Sequence, residues 1–128
     1  MRNIQLNLSV LEDSFSVCQL APDAGIPHWA PTKGLVSITR TADELSIVCL
    51  DGVVPDTVRA ERGFRVLKIE GPFDFSLTGI LLAVIGPLSD VGISIFAVST
   101  FDTDYVLVKK NDLKQAVSVL SAFGHTVR

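Results

Sequence analysis

An α+β fold is predicted by three features of the sequence: a first half of short strand-like runs with no helical period, a change of pattern after Gly63, and one strongly amphipathic helix near the C-terminus. The first half holds IQLNLSVL, FSVCQLA, GLVSITRT and LSIVCL, each rich in β-branched or large apolar residues. Turn chemistry separates them, as in Pro22-Asp23-Ala24-Gly25 and Thr41-Ala42-Asp43-Glu44. Residues 52–63, GVVPDTVRAERG, form a polar break. Beyond it, FRVLKIEG predicts a strand, PFDFSLTG a loop and ILLAVIGPLSDVG a helix. Pro87 removes a backbone donor from that helix and is expected to kink it or to start a new turn.

Residues 92–110, GISIFAVSTFDTDYVLVKK, then give two strands joined by Ser99-Thr100-Phe101-Asp102-Thr103-Asp104. The joint lacks the Asn-Gly or Asp-Gly pair of a tight turn and instead gathers hydroxyls, an aromatic ring and two carboxylates. A second helix follows. Asn111 or Asp112 can cap it, Leu113, Ala116, Val117, Leu120 and Phe123 form one apolar stripe, and Gly124 supplies the stop before a last short strand, HTVR. From Arg65 to Arg128 the order is therefore βαββαβ, the ferredoxin-like arrangement, with both helices on one face of a four-stranded antiparallel sheet. The opposite face needs cover, and the strand-rich first half is the obvious donor, with two sheets side by side or face to face. The expected division is a reduced strand-rich module over residues 1–61 and a βαββαβ module over 62–128, packed as one body.

Composition narrows the function classes. The chain of 128 residues is 48% apolar with a formal charge of −3, and its pI of about 5.2 offers no electrostatic footprint for nucleic acid. The aliphatic character of FRVLKIEG and GISIFAVS also lacks the aromatic and basic platform of an RNA-reading sheet. Cys18 and Cys49 lie in apolar runs, where reduced cysteines behave as small hydrophobes. MRNIQLNLSVLED lacks the apolar core of a signal peptide, and GILLAVIGPL is far shorter than a membrane span. A soluble, cytoplasmic protein is expected, with no membrane or nucleic-acid partner.

Catalytic patterns are missing. His28, in IPHWAP, and His125 have no cysteine or aspartate nearby at metal-ligand spacing, and no Gly-x-Ser-x-Gly elbow, phosphate loop or CxxC occurs. Glu12-Asp13 and Asp43-Glu44 fit solvated strand ends; an enzyme would have to be built almost wholly from Asp102 and Asp104. No catalytic residue, metal ligand or cofactor is therefore assigned.

The segment GPLSDVGISIFAVSTFDTDYVLVKKNDLKQAVSVL resembles an ACT domain, in particular the subset shared by aspartate-kinase regulatory regions and the cytosolic arginine-sensor family. GLVSITRTADELSIVCLDG resembles the hairpin of the preceding, reduced ACT module in those proteins. The resemblance implies a non-catalytic regulatory fold that binds an amino acid or similar small ligand between paired ACT modules. It implies that Ser94 and Ile95, at the start of the second strand, offer backbone groups and a hydroxyl to the ligand's α-amino and α-carboxylate ends. It further implies that Asp74, Phe75, Ser76, Leu77 and Thr78 close over the ligand, that Gly79 lets the backbone approach, and that Asp104 accepts a cationic group. Where arginine sensors carry an acidic residue in the loop this chain has Leu77, and Asp74 is the carboxylate placed to compensate. Arginine-sensor proteins resemble two such chains in tandem, so a single chain reaches the same geometry as a homodimer. The competing expectation is a protein-interaction module without a functioning ligand site, using an exposed sheet edge.

Overall fold

A computed structural model describes residues 4–74 and 76–128, with eight strands and two α-helices among them. The strands are β1 (Asn7–Val10), β2 (Phe15–Leu20), β3 (Ser37–Arg40), β4 (Leu45–Leu50), β5 (Arg59–Ile69), β6 (Ile95–Ser99), β7 (Asp104–Lys109) and β8 (Thr126–Val127); the helices are α1 (Ile80–Asp90) and α2 (Leu113–Ala122). Two compact units result, one formed by the segment up to Glu12 with Arg65–Arg128, the other by Asp13–Phe64. Strand β5 supplies residues 65–69 to the first and 59–64 to the second.

The second unit is antiparallel, in the strand order β3-β4-β2-β5, without an α-helix among its described residues. β4 pairs antiparallel with β3 (Ile38 opposite Ile47) and with β2 (Cys18 opposite Ile47), and β2 pairs antiparallel with β5 (Phe15 opposite Phe64). Alternation then places Cys18, Leu45, Ile47 and Cys49 together in a core with Val54, against which Leu20, Trp29 and Val58 pack. Both thiols are free. Burial pushes the Cys18 thiol up and, with the neighbouring Cys18 adding to the effect, pushes Cys49 up to about 12, which favours the protonated thiol at both positions.

The first unit holds the helices. β6 pairs antiparallel with β7, β7 pairs with β5, β5 pairs antiparallel with β1, and β1 runs parallel to β8. The expected four-stranded sheet thus has a fifth strand, because β1 is inserted between β5 and β8 (Leu8 opposite Ile69 on one side and Val127 on the other). Residues 4–12 group with Arg65–Arg128, β1 pairing with β5 on one side and β8 on the other. Leu8, Leu67, Ile69, Val106 and Val108 from the sheet meet Val84 and Leu88 of α1 and Ala116 and Leu120 of α2 in one core. Both helices end as glycine-terminated turns: Ile93 N–H donates to Leu88 O at 3.0 Å past Gly92, and His125 N–H donates to Leu120 O at 3.1 Å past Gly124. Both glycines have positive φ, 79° and 113°, where a side chain would be strained.

Of the two alternatives for Pro87, a kink or a new turn, the second does not occur: Pro87 sits inside α1, which continues to Asp90. One expectation about α2 needs correcting. Phe123 follows the last residue of α2 and is 57% exposed, so the apolar stripe ends at Leu120. Asp112 stands at the N-cap of α2 but makes no side-chain capping bond.

Candidate functional site

The joint Ser99–Asp104 is a hairpin turn closed by threonines in place of glycine. Thr100 N–H donates to Thr103 O at 2.8 Å and Thr103 N–H donates to Thr100 Oγ1 at 3.3 Å. Thr103, buried, donates its hydroxyl to Ile69 O at 2.5 Å, fixing the turn to β5. Ser99 and Asp104 face each other in the register of β6 and β7, and the Ser99 hydroxyl donates to Asp104 Oδ1. That leaves the second oxygen of a half-buried carboxylate without a hydrogen bond among the described residues.

The loop after β5 is tied to this turn. Phe73 N–H donates to Asp102 O at 3.0 Å, and Gly71 comes so close that a Cβ there would stand 3.0 Å from the same carbonyl oxygen and 3.1 Å from Phe73 N. Phe73 Cδ2 is a third obstructing atom, also at 3.1 Å, but the other two belong to the backbone, so Gly71→Ala is expected to push loop and turn apart and to lower the unfolding midpoint by several degrees in a thermal melt. Further along, Asp74 Oδ1 accepts from the Ser76 hydroxyl at 2.7 Å and from Ser76 N–H at 2.9 Å, while Leu77 N–H donates to Asp74 O at 3.0 Å. The Ser76 hydroxyl first, and its N–H second, hold the Asp74 carboxyl below the usual carboxylate range. Because the folded value is depressed, the turn's stabilisation is present above the ordinary carboxylate range and is lost as pH falls through the folded value. Ser76→Ala is expected to move the Asp74 titration upward, as followed by the carboxyl ¹³C shift.

Loop and turn enclose an open cleft of about 480 Å³ lined by Phe73, Asp74, Leu77, Ile80 and residues 99–104. Its ionisable lining residues are Asp74, Asp102 and Asp104, and Phe101 stands at its rim, 84% exposed. Of the nine residues expected at the site, Asp74, Leu77 and Asp104 line this cleft. Ser76, Thr78 and Gly79 belong to the same loop and are exposed without lining it, and Phe75 lies outside the described residues. Ser94 and Ile95 line a separate recess of about 550 Å³, beside Leu82, Ile85, Ser89 and Asp90 of α1. Phe73 and Ile80 were not foreseen, since nothing distinguishes them in sequence from core residues. Gly79 is the N-cap of α1 with φ 82°, and no side chain caps that helix, so neither Ser76 nor Thr78 is its cap.

Among the described residues no group of three or more histidine, cysteine, aspartate and glutamate side chains converges as a metal site. The histidines lie apart from the cleft: His28 is exposed, and His125 is buried with both ring nitrogens hydrogen-bonded to backbone.

The model of the ACT domain family matches residues 59–122. The chain belongs to the ACT-domain family. A second family model, describing an N-terminal domain, matches residues 13–57, which fall within the unit of this ACT protein that has no α-helix among its described residues. Its fold matches the crystal structure of protein Atu0741 from Agrobacterium tumefaciens over 98% of this chain and 93% of that one, with 47% identity and a TM-score of 0.92. It is 33% identical over 121 residues to the rat (Rattus norvegicus) protein named cytosolic arginine sensor for mTORC1 subunit 1, covering 88% of this chain and 36% of that one. The structure of aspartokinase alpha and beta subunits shares the fold at 14% identity, with a TM-score of 0.66 over 94% of this chain and 98% of that one. The ACT chain thus spans between a quarter and two fifths of the length of the curated relatives it matches, 28% and 36%.

Proposed function

We propose that this chain is a non-catalytic regulatory module that binds an amino acid or a similar small ligand, held at the interface between ACT modules of a homodimer. The observation that carries this reading is the cleft between loop and hairpin, whose two walls are joined backbone to backbone by the Phe73–Asp102 bond and whose ionisable residues are all aspartates. Such a wall suits an ammonium or guanidinium group, with Asp104 the carboxylate best placed to accept it. An α-carboxylate needs donors, which the cleft's ionisable residues do not supply. The start of β6 has them in Ser94 and its neighbouring backbone, and β6 pairs only with β7 among the described strands. A second copy bringing its Ser94 and Ile95 to this cleft completes a zwitterion site. The rat relative's name as an arginine sensor supports an amino acid as the ligand class. A cytoplasmic location belongs to the same proposal; no helix among the described residues is long and apolar enough to cross a membrane.

Two measurements test it. A thermal-shift screen of the chain against the twenty amino acids is expected to return at least one that raises the midpoint, since a ligand at 100 times its Kd adds about 2.7 kcal/mol to the folded state. Silence at millimolar concentration of all twenty would favour an interaction module instead. Sedimentation at micromolar concentration is expected to give twice the chain mass of 13.8 kDa. A clean monomer, with or without the screen's hit, removes the shared site.

A further inference from the structure

In an α-helix the carbonyl of residue i accepts the amide of residue i+4, so Ala83 O should be taken by residue 87. That residue is Pro87, which has no N–H, and it lies inside α1. Another donor occupies the place. His125 Nε2 stands 2.8 Å from Ala83 O, while Leu6 N–H donates to His125 Nδ1 at 3.1 Å, and the ring is 4% exposed. The backbone amide of Leu6 is only a donor, so Nδ1 is the acceptor and the neutral ring carries its proton on Nε2. The glycine-terminated end of α2 sets the ring in place through His125 N–H on Leu120 O.

We infer that His125 is the donor replacing the amide missing at Pro87, and that the two residues form one energetically coupled unit fastening α1 between the chain leading into β1 and the chain leading into β8. The inference rests on hydrogen-bond geometry alone and stands whether or not a ligand binds. It nevertheless bears on the cleft, because Ile80, the first residue of α1, lines it, three positions before the fastened carbonyl.

A double-mutant cycle read by urea denaturation tests the coupling. His125→Ala leaves both Leu6 N–H and Ala83 O unpaired; in the Pro87→Ala background residue 87 regains an amide, and Ala83 O has a partner without His125. The unfolding constant is expected to rise by a factor about ten larger when His125→Ala is made in the wild-type chain than when it is made with Pro87→Ala. Equal factors in the two backgrounds overturn the inference. Should a variant fail to fold, ring ¹⁵N spectra of the wild-type chain decide: a proton on Nε2 and a scalar coupling between Leu6 N and Nδ1 support the unit, and a proton on Nδ1 overturns it.

Discussion

Asp104→Ala is expected to weaken binding of the amino acid returned by the screen about tenfold to a hundredfold while leaving the fold nearly intact. A carboxylate in a half-buried wall contributes a charge-assisted hydrogen bond of roughly 1.5 to 3 kcal/mol to a cationic partner. Among the described residues Asp104 is hydrogen-bonded through its side chain to the exposed Ser99 hydroxyl alone, which can turn to water when the carboxylate is gone. Stability should therefore change by about half a kcal/mol. Asp102→Ala gives a comparison within the same turn: its structural bond is made by the backbone carbonyl, which the substitution keeps. Ser94→Trp tests the opposite wall, since it fills the recess that a second copy would offer, and is expected to abolish binding too. Titration calorimetry of wild type and variants reads all three. Wild-type affinity in Asp104→Ala would mean that the site is elsewhere; wild-type affinity in Ser94→Trp alone would leave the acidic wall in place and remove the partner's contribution.

The residues that revealed this cleft in the sequence did so through density of chemistry. Hydroxyls and carboxylates crowd the stretch from Ser99 to Asp104 beyond what a hairpin needs. Part of that chemistry proves structural: Thr100 and Thr103 close the turn in place of a glycine, and Thr103 also anchors it to Ile69. Asp104 is different, because one of its oxygens has no hydrogen bond among the described residues. Phe73 and Ile80 were illegible because an apolar residue beside a cleft has the same local pattern as one beneath a helix. The fold was legible wherever period alone decides, as in α2 or the β6–β7 hairpin. It was not legible for IQLNLSVL, whose alternation suits the edge of either unit; only pairing to Ile69 and Val127 places β1. Pro87 left two alternatives open for a related reason. Its cost depends on whether some distant donor replaces its amide, and the donor is His125, far along the chain.

Leu120→Ala is expected to be the most destabilising single truncation in α2, by roughly 2 to 5 kcal/mol, and Phe123→Ala to cost less than about 1.5 kcal/mol. In the sequence the two belong to one stripe, three residues apart. Leu120 is fully buried, in one core with Leu8, Ile69, Val84 and Val106. Its truncation leaves a cavity that a sheet of β-branched residues and the facing helix α1 cannot readily close. Phe123 is 57% exposed, with the tilted His125 ring 5.6 Å away between centroids. Since a domain of this size has roughly 5 to 15 kcal/mol in hand, the first loss leaves a marginal fold and the second does not. Urea denaturation midpoints measure both. Equal losses at the two positions would show that the stripe runs on past Leu120 as its period suggests, and that the C-terminal end of α2 is buried one turn further.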